Sequence, residues 1–176
     1  MCWLRKNPKS EVTPSKSLQM EMFEKVFGKI RVKMIKEEGI KREVYLDSLG
    51  KPTVGIGHLV RPEDNLKVGQ VISQNHVEEL FRQDVTKAIW AAIDQGEEVG
   101  EFEEDFITAL TSVNFQLGVN WPDKWPNTYA ALKVGNLEKV IRNVMGSLWH
   151  KQTPKRTMAF KQALLQEIAE NNRKVA

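Results

Sequence analysis

The sequence contains a single cysteine, Cys2, so no internal disulfide can form and no thiolate cluster can hold a metal. Folding therefore calls for no oxidising compartment. Histidine is nearly as scarce: His58, His76 and His150 are the only three, and their spacing fits no zinc motif. No apolar run approaches the roughly 20 residues that cross a bilayer, so no stable membrane insertion is expected. The opening Met1-Cys-Trp-Leu-Arg-Lys-Asn-Pro has no apolar signal-peptide core, so work outside the cytoplasm would need a separate release route. Charge of one sign is also lacking. The 26 Lys and Arg against 23 Asp and Glu leave a formal charge of +3. A nucleic-acid binder usually clusters its positive charge and carries a recognisable motif, and no such motif is found. A mild positive balance suits an anionic partner such as cell wall, and equally suits a solvated surface with no partner.

Apolar residues make up 41% of the 176, enough for a core at this length. The charge that exists is unevenly placed. From Met1 to Lys36 there are nine Lys or Arg against three Glu, whereas Asp94 to Asp105 holds seven acids and no base. That acidic run reads as a solvated connection between helices. Residues 1–17 combine Pro8, Pro14, three serines and four basic groups, the composition of a loose tail. Residues 1–27 are read as an N-terminal extension and 28–172 as the main domain.

Leu18, Met22, Val26, Ile30 and Met34 recur every four residues, a helical stripe that Gly28 could interrupt and that Gly39 could cap. The period then changes. Glu43 to Asp47, a turn with Gly50 and Pro52, and Thr53 to His58 predict strand, turn, strand. Gly55 and Gly57 alternate in the second strand, which leaves one of its faces without side chains, open to close approach. From Ser73 the helical period returns, with Ser73 as N-cap and Gly96 past the end. Further helices are predicted from Glu103 to Leu117, from Pro126 to before Gly135, from Asn136 through Leu148, and for about twenty residues after Thr153-Pro154. A strand segment early and helices late make the fold class α+β.

Hydrolysis of a glycosidic bond needs an acid that protonates the leaving oxygen and a second carboxylate that activates water or attacks directly. Glu38 at the end of the stripe and Asp47 nine residues on, at the end of a strand, could face each other. Taken alone they are two of 23 acids and read as readily as two surface groups. Their surroundings are more specific. Glu38-Gly39, then Tyr45-Leu46-Asp47, then Thr53-Val-Gly-Ile-Gly-His58 resembles, without a gap, the Glu-Gly, Tyr-x-Asp, Thr-x-Gly-x-Gly-His string of phage lysozymes, glycoside hydrolase family 24, above all those of T-even bacteriophages. The similarity continues through Glu78 to Val85, Asn114-Phe-Gln-Leu-Gly118, Trp125-Pro-Asn-Thr128 and Ser147 to Arg156, covering Ile30 to Leu165.

That resemblance implies a lysozyme-like fold, a small sheet lobe and a larger helical lobe with an active-site cleft between them. It implies cleavage of the β-1,4 bond between N-acetylmuramic acid and N-acetylglucosamine, without cofactor or metal, by a monomer made in the host cytoplasm and acting on peptidoglycan in the periplasm. It makes Glu38 the general acid, Asp47 the carboxylate that orients water, and Thr53 the hydroxyl that holds it. Leu59, Phe115, Thr128 and Asn143 become saccharide contacts, with Gln116, Arg156 and His58 in support, Arg156 pairing with Glu38. Read without the family, Thr53 is a strand residue, Phe115 and Trp149 are core, and Arg156 is a surface ion-pair partner. His58 has no Ser or Cys beside it to activate, so a structural role fits it better than catalysis. Besides the tail before Gly28, which has no counterpart in the short family members, the chain departs from the T-even pattern in three places. Leu59 to Ser73 is shortened, Thr128 replaces a serine, and no acidic partner for His58 can be identified. Three rivals remain: a wall-binding module that does not cut, a virion structural protein and a nucleic-acid binder. The first would be expected to have lost one of Glu38, Asp47 and Thr53.

Overall fold

In a computed structural model, residues 14–100 and 103–175 are described, without the side chains of residues 37, 38, 171, 172, 174 and 175. Residues 1–13 of the predicted tail lie outside the described residues. Helix α1 begins at Lys16, so the last two residues assigned to that tail are helical. It runs to Glu38 without interruption. Gly28 leaves it intact because it faces open space and keeps an ordinary helical backbone. Gly39 ends it as predicted, at φ +73° with its N–H donating to the Ile35 carbonyl (2.8 Å).

The chain divides into two compact units. The smaller takes residues 27–87 and contains the sheet, in the order β1 (Lys41–Leu46), β2 (Pro52–Gly55), β3 (His58–Leu59), all antiparallel. The third strand departs from the expectation of a single second strand. Gly55 and Gly57 both have positive φ, 69° and 75°, a conformation that L side chains avoid, so the chain reverses there instead of continuing. The close approach expected at these glycines is found at Gly55, where an added Cβ would sit 3.3 Å from Val77 Cγ1. The outer edge of β1 is covered by residues 69–72, through Val44 N–H to Gln70 O and Ile72 N–H to Arg42 O (both 2.9 Å). This unit's core holds Ile30, Met34, Val44, Val54, Val77 and Phe81.

Helix α2 spans Gln74–Val99. Ser73 caps it by accepting the His76 N–H (3.1 Å). Gly96 does not end it. A lone glycine costs only about 1 kcal/mol in a helix interior, and the reversal comes at Gly100, φ +76°. Asp94, Glu97 and Glu98 therefore lie on the helix and not in a solvated connection. Glu97 accepts from Gln19 Nε2 (2.6 Å), and Glu98 takes the Tyr129 hydroxyl and the Lys133 ammonium. Burial, and then that carboxylate, push the Tyr129 hydroxyl pKa well up.

The larger unit takes the chain up to Val26 and from Ala88 on. After α2 it contains α3 (Glu104–Leu117), α4 (Trp121–Lys124), α5 (Pro126–Lys133), α6 (Leu137–Met145), α7 (Leu148–Gln152) and α8 (Pro154–Val175). Short α4 is additional to the sequence expectation. The helix predicted from Asn136 through Leu148 divides in two: Asn136 caps α6 on the Lys139 N–H and Ser147 caps α7 on the His150 N–H. The core of this unit holds Ile93, Ile107, Leu110, Leu132, Val140 and Leu164, each fully or almost fully buried. Inside it, Gln95 and Asn114 exchange two amide hydrogen bonds (3.1 and 3.0 Å), and Asn114 also donates to the Ala88 carbonyl (3.3 Å). A buried amide pair of this kind is tolerable only because both partners are satisfied.

Candidate active site

Strand register sets the geometry of the smaller unit. Tyr45 pairs with Thr53, and Thr53 pairs with Leu59. Directly paired residues share a face, so Tyr45, Thr53 and Leu59 form one row across the three strands. The Asp47 N–H donates to the Lys51 carbonyl (2.9 Å), extending the pairing to the hairpin mouth. Alternation then puts Asp47 on the same face as Tyr45. Three of the residues singled out in the sequence, Asp47, Thr53 and Leu59, are thus brought together.

The hairpin turn fixes the Asp47 carboxylate. Its Oδ1 accepts the backbone N–H groups of Leu49 (2.8 Å) and Lys51 (2.9 Å), while among the described residues Oδ2 has no hydrogen-bond partner. Two bonds to one oxygen orient the group and leave the other oxygen for a ligand. Thr53 is 6% exposed, and its hydroxyl donates to the Lys51 carbonyl (3.2 Å), which leaves its oxygen able to accept. Leu59 is 47% exposed, available as an apolar contact. The Glu38 backbone closes α1, and its carboxyl group lies outside the described residues, as does its expected pairing with Arg156.

His58 lies on the opposite face, paired with fully buried Val54 and itself 2% exposed. Its Nδ1–H donates to Asp84 Oδ2 (2.7 Å) and its Nε2–H to Asp64 Oδ2 (2.9 Å). Two acceptors are both satisfied only by the doubly protonated ring. Arg61 completes the cluster, its N–H on Asp64 Oδ2 (2.6 Å) and its Nη2 on Asp84 Oδ1 (2.9 Å). Burial opposes the charge on His58, but its bonds to Asp84 and Asp64 outweigh burial and raise its pKa. Burial likewise works against the Asp64 charge, yet the Arg61 N–H and His58 hold its pKa below the usual value. The acidic partner of His58 that sequence reasoning could not identify is therefore two carboxylates. Asp84 stands 26 residues from the histidine on α2, inside the matched Glu78–Val85 segment, and only folding brings the two together. Asp64 stands in a 3-10 turn at Pro62–Asp64.

The remaining candidates belong to the larger unit. Asn143 donates to the Thr128 hydroxyl (3.1 Å), so these two are neighbours, Thr128 buried and Asn143 half-buried. Gln116 accepts the Trp149 indole N–H (3.0 Å), which anchors that ring beside Trp125 and Phe160. Phe115 is half-buried at the end of α3, and Arg156 is half-buried in the first turn of α8. No group of three or more His, Cys, Asp or Glu side chains among the described residues is arranged so that it could hold a metal ion. No helix of the described residues is long and apolar enough to cross a membrane.

Residues 35–164 match the family model for phage lysozyme. The peptidoglycan hydrolase gp36 of Pseudomonas phage phiKMV is 28% identical over 130 residues, which cover 74% of this chain and 14% of that protein. The pre-baseplate central spike protein Gp5 of Enterobacteria phage T4 is 26% identical over 148 residues, 67% of this chain and 24% of that one. A probable T4-type lysozyme 2 of Dictyostelium discoideum is 26% identical over 144 residues, 69% of this chain and 84% of that one. The chain thus spans a small part of the two phage relatives and most of the third.

Proposed function

The chain belongs to the phage lysozyme family, and from that premise we propose that it hydrolyses the glycan strands of bacterial peptidoglycan, at the β-1,4 bond between N-acetylmuramic acid and N-acetylglucosamine. Glu38 gives its proton to the glycosidic oxygen as the bond to the anomeric carbon breaks. A water held between Asp47 Oδ2 and the Thr53 hydroxyl attacks that carbon from the opposite side and passes a proton to Asp47. One carbon–oxygen bond is lost and one gained, the anomeric configuration inverts, and the enzyme is reset when Asp47 releases its proton to solvent and Glu38 takes one up. Phe115, Thr128 and Asn143 are proposed as saccharide contacts of the larger unit. The enzyme is proposed to be made in the bacterial cytoplasm and to meet the wall after release.

The observation that carries this reading is the sheet face. Asp47 is fixed through one oxygen with the other left for a ligand, and the Thr53 hydroxyl shares its face. A nucleophilic carboxylate would need direct contact with the sugar, and a hydroxyl placed to hold water beside it would then be in the way. The gp36 relative is itself named a peptidoglycan hydrolase and the Dictyostelium one a lysozyme, which supports the substrate class. The test is clearing of outer-membrane-permeabilised bacteria. The unaltered protein should clear the suspension, and Glu38→Gln and Asp47→Asn should each be at least about 100-fold slower. Undiminished clearing by Glu38→Gln would remove that residue from the mechanism.

A further inference from the structure

Lys41 has no role in the reaction as described, yet its position is unusual. Its Nζ lies 4.0 Å from the centroid of the Tyr45 ring. Tyr45 pairs with Thr53, so the ammonium is carried onto the face that holds Thr53, Leu59 and Asp47. Lys41 is exposed, and among the described residues no carboxylate pairs with it. A lysine normally spreads a flexible four-carbon stem through water and loses that freedom when it binds. Here the aromatic ring already holds the head by cation–π attraction, so a second anionic partner would cost less ordering. An ammonium over a ring still directs N–H donors outward.

We propose that Lys41, held by Tyr45, reads a carboxylate on the peptide arm of the substrate. This rests on the peptidoglycan reading above. The sugar rings and their acetamido groups are neutral, so the negative charge available to a cation on this face comes from the peptide arm borne by each muramic acid. Lys41 is then a specificity residue: it favours glycan whose peptide arms carry a free carboxylate, and has no part in bond breaking.

The test compares two substrates, soluble glycan strands with their peptides and the same strands with the peptide carboxylates converted to neutral amides. Lys41→Met should raise KM about tenfold on the untreated strand, the size of one charge-assisted bond, and far less on the amidated strand, with kcat little moved on either. Lys41→Arg should restore most of the difference. In the unaltered protein, added salt should erode the preference for the untreated over the amidated strand, a measurement that needs no variant. Equal KM changes on both strands, a loss carried by kcat, or a preference indifferent to salt would each overturn the assignment. If the unaltered protein cuts neither strand, the hydrolase reading itself fails, an outcome distinct from an active enzyme that ignores Lys41.

Discussion

Asp84→Asn removes one charge from the His58 cluster while keeping the side chain's shape. Three features set the size of the effect. His58 is 2% exposed, it bonds Asp84 at 2.7 Å, and Asp84 also receives Arg61 at 2.9 Å. Breaking a buried ion pair by removing one partner costs about 3–5 kcal/mol. An asparagine oxygen can still accept from Nδ1, and Asp64 still faces Nε2, so the loss should fall below that range, near 2 kcal/mol. For a chain of this length that is a drop of about 4–8 °C in Tm. The pH dependence is the sharper test. The His58 pKa is raised in the folded protein, so its contribution is complete below the ordinary value of 6.5 and is lost as pH rises through the higher folded value. The Asp64 pKa is lowered, so its share is complete above the ordinary 3.8 and is lost as pH falls through the lower folded value. The cluster is therefore worth most between those two ordinary values. Thermal melts followed by circular dichroism should show the largest gap between Asp84→Asn and the unaltered protein near about pH 5, shrinking by about pH 8. A gap that stays constant or widens over that range would refute the reasoning.

Thr53→Ala should lower hydrolysis by about 100-fold, since a misplaced attacking water costs that much, and should cost only about 1 kcal/mol in a denaturant melt for the lost bond to the Lys51 carbonyl. Gly55→Ala should destabilise by about 1–3 kcal/mol, because its φ of 69° is strained for alanine and the new Cβ meets Val77 at 3.3 Å; an unchanged urea midpoint would show that the turn relaxes. Leu164→Ala, at a fully buried site in α8, should cost about 2–5 kcal/mol by the same measurement.

What could be read in the sequence was what repeats or punctuates locally. The every-fourth-residue stripe from Leu18 to Met34 became α1, Ser73 and Asn136 marked helix starts because capping chemistry acts over three or four residues, and Pro154 opens α8 because its fixed φ suits a first helical position. Glycines were the weak point, since composition does not reveal φ. Gly96 lies inside α2, while Gly55 and Gly57 turn the chain and create β3. For the site, the Glu38 to His58 string was specific enough to suggest the family, and the register then placed Asp47, Thr53 and Leu59 on one face. The partners of His58 were hidden. Nothing local ties residue 58 to residue 84, and the Arg61 and Asp64 bonds depend on a turn too short to show a period.

The central claim is that this chain cuts peptidoglycan on the muramic acid side of the bond. Purified peptidoglycan, digested and then reduced with borohydride, reports which sugar carries the new reducing end. The account predicts newly reduced N-acetylmuramic acid in the digest of the unaltered protein and almost none with Glu38→Gln. New ends on N-acetylglucosamine, or no new ends at all, would contradict it.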